Sequence, residues 1–90
     1  MRGPSMDGVV EISRDELVRI LGAPLVERAE SLSEDTFQQL KWERLTDLLR
    51  AYEKVYHTSL FEGRRSFLLG LDEDMKTALV RHIFDQQLVK

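Results

Sequence analysis

His57 and His82 are the side chains of this chain best suited to moving a proton near neutral pH. Neither has company for catalysis. The chain contains no Cys, and no Ser lies in a nucleophile motif beside either ring. His57 falls on the polar side of a helical pattern, near its end, where the helix dipole favours a cation. Glu53 precedes it by one turn. His82 falls on an apolar face and reads as a buried or interface ring. The two are 25 positions apart and are the only nitrogen ligands a soft metal would find, so no zinc site is expected.

Hard-cation chemistry fares no better. Asp72 and Asp74 are spaced as in a calcium loop, but Thr77 stands at the sixth position, where Gly is needed. Ile83 stands at the twelfth, where Glu is needed. Glu27, Glu30, Glu34 and Asp35 form an acidic cluster that a solvated face and a helix start explain. The five glycines are scattered at positions 3, 8, 22, 63 and 70, which leaves no phosphate-cradling loop. No catalytic, cofactor-binding or metal-binding residue is therefore assigned, and no small-molecule ligand is evident.

Two patterns suit binding instead. Leu45-Thr46-Asp47-Leu48-Leu49 has the LxxLL spacing of groove-docking helices, but it sits inside a longer apolar pattern and reads as core. Arg64-Arg65, the only adjacent pair of cations, is flanked by Phe61 and Phe67. Arginine and aromatic residues are enriched at interface hot spots, and guanidinium groups clamp carboxylates bidentately. Phe61, Arg64, Arg65 and Phe67 are thus the expected partner-binding residues. The segment Leu60–Leu69 around them, with a flexible Gly63, reads as a short helix or folded loop.

These residues must be held by helices. Glu34–His57 runs 24 residues without Gly or Pro. Phe37, Leu40, Leu45, Leu48, Tyr52 and Val55 follow one helical face, and Trp42, Leu49 and Tyr56, seven apart, widen it to roughly 200°. One short neighbour cannot cover such an arc, so a long central helix is expected, wrapped by smaller helices or by a second chain. Before it, Ser13 with Glu16 reads as a capping box, Leu17, Ile20 and Leu21 form a stripe, and Gly22 and Pro24 separate two short helices. Ser33 reads as the cap of the long helix, with Ser31 and Glu34 as an alternative capping box two residues earlier. Asp72 caps a last helix from Glu73 to about Val89, on which Met75, Leu79, His82 and Ile83 share a face flanked by Val80, Phe84 and Leu88. Met1–Gly8 reads as a flexible tail without an apolar signal region, Val9–Ile12 as extended, and 9–90 as a single domain.

Composition bounds the partners. Ninety residues make one small domain, with 13 basic against 16 acidic residues. Residues 1–45 hold six basic and nine acidic side chains, and residues 46–90 seven of each. Neither half has the basic excess that phosphate neutralisation demands, so nucleic acid is not favoured. No run reaches the ~18 apolar residues of a membrane span. A small core without disulfides or zinc commonly gains its reinforcement from association. The expectation is an all-α, compact bundle of about four helices, cytoplasmic and homodimeric. It would act as a non-enzymatic regulator, adaptor or inhibitor that binds another protein through a helical apolar face. The rivals are a helix-turn-helix DNA-binding regulator, with Glu73–Val89 as recognition helix, and an accessory subunit of a larger enzyme or assembly.

Overall fold

A computed structural model describes residues 12–88. The expected tail at 1–8 and the extended reading of Val9–Glu11 lie outside the described residues. Those described are all-helical: α1 (Arg14–Leu21), α2 (Ala23–Ser31), α3 (Glu34–Glu43), α4 (Leu45–His57), α5 (Phe61–Leu69) and α6 (Glu73–Leu88).

Local chemistry sets the helix starts. The Ser13 hydroxyl accepts from the Glu16 amide at 3.1 Å, and Ser33 accepts from Thr36 at 3.1 Å. The Asp72 carboxylate accepts from the Met75 amide at 2.9 Å, so it is the cap of α6. Gly22 alone joins α1 to α2. Its φ of 95° and ψ of 146° lie in a region that side chains avoid, and Pro24 then fits the first turn of α2. Leu60–Leu69 resolves as helix. Gly63 is not a hinge in it: a Cβ there would meet the Thr58 methyl at 2.9 Å, so the glycine admits a close approach between α5 and the end of α4.

The expectation of about four helices around one long central helix needs correction. Residues 34–57 form two helices, divided at Arg44, whose φ of −130° and ψ of 34° leave helical geometry. Its amide is shared between the carbonyls of Leu40 and Lys41 at 3.2 and 3.3 Å, as at a helix end. No Gly or Pro causes this break. Both halves pack against α6: α3 buries Phe37, α4 buries Leu48, Ala51 and Val55 and also meets α5, and the Arg44 side chain pairs with Asp72 at 2.8 Å.

The central element is α6. It packs against α2, α3 and α4, and buries Met75, Thr77, Ala78, Leu79, Val80, His82 and Ile83. Most of its apolar arc is therefore buried, whereas Trp42 and Leu49 of the α3–α4 arc stay outside. Arg81 ties the centre together. Its guanidinium donates to the carbonyls of Ala29 and Leu32 at the end of α2, reaches Glu34 at 3.3 Å, and lies 5.2 Å from the centre of the Phe37 ring.

Candidate docking surfaces

The four residues expected to bind a partner do not form one patch. Arg64 is buried, with its side chain only 2% exposed. Its Nη1 donates to Glu16 at 2.7 Å and its Nε to the Thr58 carbonyl at 2.7 Å, so it joins α5 to α1 and to the end of α4. Arg65, one residue on, is exposed. Phe61 and Phe67 are half-buried and diverge. Arg19 of α1 lies 5.7 Å from the Phe61 ring centre, and Lys54 of α4 lies 5.4 Å from the Phe67 ring centre. The expectation that both arginines face outward is corrected for Arg64, because a charged partner within the fold compensates its burial.

The partner of Arg64 also explains a second departure. Glu16 would close a capping box by reaching back to the Ser13 amide. Among the described residues no such bond forms, and the Glu16 carboxylate turns to Arg64, 48 positions away. The Ser13 half of the motif stands alone.

Both histidines are engaged structurally. His57 is exposed, and its Nδ1 bonds the Glu53 carbonyl at 2.9 Å, which makes that nitrogen the donor. His82 is buried edge-on to Tyr52, with ring centres 4.8 Å apart, and its Nδ1 finds no hydrogen-bond partner. Burial holds its pKa below the ordinary histidine value, Lys41 adds to the effect, and Asp85 opposes it. Among the described residues no group of three or more His, Asp or Glu converges to hold a metal, and no helix is long and apolar enough to cross a membrane.

Two surfaces stand out among the described residues. The first is apolar: Trp42 and Leu49 flank the α3–α4 break and are 66% and 46% exposed. The second is an open cleft of about 480 Å³ between α4 and the turn that joins α5 to α6. Arg44, Asp47, Arg50 and Lys54 follow one face of α4 along its rim, while Ala51, Phe67, Leu71 and Met75 supply apolar walls. Asp72 also lines it, but its charge is spent locally. The Met75 amide and the Arg44 guanidinium hold its carboxyl below the usual carboxylate range. Arg50 makes no hydrogen bond or ion pair among the described residues. Of the expected partner-binding residues, only Phe67 belongs to this cleft. The three-and-four spacing of Arg44, Asp47, Arg50 and Lys54 was present in the sequence, but that spacing also describes an ordinary solvated face. Only the α5–α6 turn makes it one side of a cleft. No family model matches the chain, and no curated protein or solved structure matches it either.

Proposed function

We propose that the protein is a non-enzymatic interaction module, a small regulator, adaptor or inhibitor that acts by docking. The observation that carries this reading is the exposure of Trp42 and Leu49 beside a closed core; Leu60 and Leu69, at the two ends of α5, are exposed as well. Leu48, one residue from Leu49, is fully buried, as are Val55, Leu79 and Ile83, so the apolar interior needs no second chain to cover it. The large side chains left outside are then surplus to folding. Tryptophan is the residue most typical of interface hot spots, and exposed apolar patches mark contact surfaces.

The homodimer belongs to this proposal in a narrower form: association through the Trp42–Leu49 surface rather than through a shared core. Light scattering at micromolar concentration should then give twice the chain mass. Trp42→Glu with Leu49→Glu should return it to one chain mass while circular dichroism keeps the same helicity. A wild type that stays at one chain mass up to high concentration would remove self-association. If the double variant also still captured every protein that the wild type captures, the docking role of this surface would go with it.

The rival readings gain less. A recognition helix must lay one face in the major groove, whereas α6 is enclosed by α2, α3 and α4. An accessory subunit would use the same exposed side chains, and co-purification of one large partner in fixed ratio would favour it.

A further inference from the structure

We propose that the cleft between α4 and the α5–α6 turn docks an acidic amphipathic helix of a partner protein. One apolar side chain would seat against Phe67 and Leu71, over the buried Ala51 and Met75, and carboxylates on either side of it would be held by Arg50 and Lys54. The proposal rests on the interaction-module reading but uses a different surface, so the two stand or fall separately.

Charge complementarity carries it. Of the three cations on the rim, Arg44 is neutralised by Asp72 at 2.8 Å. Arg50 has no partner among the described residues, and Lys54 has only the Phe67 ring. These two free cations stand one helical turn apart, about 6 Å along the axis of α4. Carboxylates one turn apart on a facing helix have the same spacing. The free charges thus match two acidic side chains, and the apolar walls of the same cleft match the residue those side chains would flank.

The remaining charge sets a direction. Asp47 also lines the rim and makes no hydrogen bond or ion pair among the described residues. It repels acid at the Arg44 end, so the acidic face of the occupant lies toward Lys54, and a partner cation can meet Asp47. A nucleic-acid backbone fits less well. It presents a charge about every 1.7 Å along the duplex, against two free cations and one opposing carboxylate, in a chain of net charge −3.

The test uses the full chain and a synthetic, fluorescein-labelled, alanine-rich helical peptide with one central Leu and Glu residues one turn apart beside it. Two control peptides carry Gln or Lys in place of Glu. Fluorescence anisotropy should show the acidic peptide bound, and the Gln and Lys peptides weaker by about tenfold or more. Arg50→Glu with Lys54→Glu should lose the acidic peptide and gain the Lys peptide. Both sites are exposed, so circular dichroism should show unchanged helicity. The gain keeps the result independent of any loss of fold. Equal binding of the Glu and Gln peptides would overturn the proposal. So would affinity unaltered by the double reversal, or an acidic peptide that binds more weakly than about 1 mM. Tighter binding of a labelled oligothymidine strand through the same two residues would replace the helix by nucleic acid. A cleft that fails while Trp42→Glu still abolishes association would leave the interaction module in place without this occupant.

Discussion

Arg64 and Arg65 are adjacent and alike in charge, yet the fold treats them oppositely. Arg64 is enclosed with Glu16, whose side chain keeps 18% exposure. Removing one member of a buried pair leaves the other charge uncompensated. Arg64→Ala is therefore expected to cost about 2–4 kcal/mol in urea titration, somewhat below the fully buried range because Glu16 retains some solvent. Arg65→Ala should stay within about 0.5 kcal/mol, as surface changes do. Equal effects at the two positions would contradict the assigned ion pair. His82 makes a pH prediction. Its ring is faced by Tyr52 of α4, by Lys41 of α3 and by Asp85 of α6, and its folded pKa lies below the ordinary value of 6.5. The unfolded chain then binds this proton at a higher pH than the folded one does. Stability from this group is complete above pH 6.5 and is lost as pH falls from there through the folded pKa. The urea midpoint should drop between pH 7.5 and 5.5, and His82→Gln should flatten that slope. An unchanged slope in the variant would assign the acid sensitivity elsewhere.

At the scale of elements, the α3–α4 break decides which leucines matter. Leu48 is fully buried and Leu49 faces out. Leu48→Ala should cost about 2–5 kcal/mol, the range for a large-to-small core change, whereas Leu49→Ala should be nearly silent in the monomer. Comparable losses would mean that α4 is rotated from the orientation described. The α1–α2 joint depends on one residue. Gly22→Ala should cost about 1–3 kcal/mol, because φ of 95° is strained for any side chain. The readout is the shift in thermal midpoint.

Across the whole molecule, long-range ties run between segments remote in sequence: Arg14 to Glu30, Arg28 to Glu73, Arg44 to Asp72, Arg64 to Glu16 and Arg81 to Glu34. Most join exposed groups and are worth little singly. The closure of the core comes from α6, whose apolar side chains meet three other helices. A chain that covers its own core this way should unfold with one transition and with a midpoint independent of concentration if Trp42 and Leu49 are replaced by Glu. In the wild type, the midpoint should rise with concentration if those residues mediate association. Parallel denaturation curves at two concentrations check both.

The all-helical class and most helix ends were legible in the sequence, because caps and breakers act within three or four residues. Ser13, Gly22, Pro24, Ser33, Asp72 and the spacing of Leu17, Ile20, Leu79 and Ile83 needed no distant partner to be read. What the sequence did not disclose depends on neighbours remote along the chain. The division at Arg44 has no local breaker; on either side of it α3 and α4 both pack against α6, and the Arg44 side chain pairs with Asp72, 28 residues away. Arg64 carries the same charge as Arg65, but it is buried against Glu16, 48 residues away, and the Thr58 carbonyl. Phe61 and Phe67 looked like one patch by proximity in sequence, but rotation about α5 turns one toward α1 and the other toward α4. Arg50 and Lys54 become one side of a cleft only because the α5–α6 turn sets Leu71 and Met75 beside them. Sequence determined what each segment is, since local hydrogen bonding and helical period act within a few residues. Tertiary structure decided what each side chain touches, since that depends on which faces of remote helices meet.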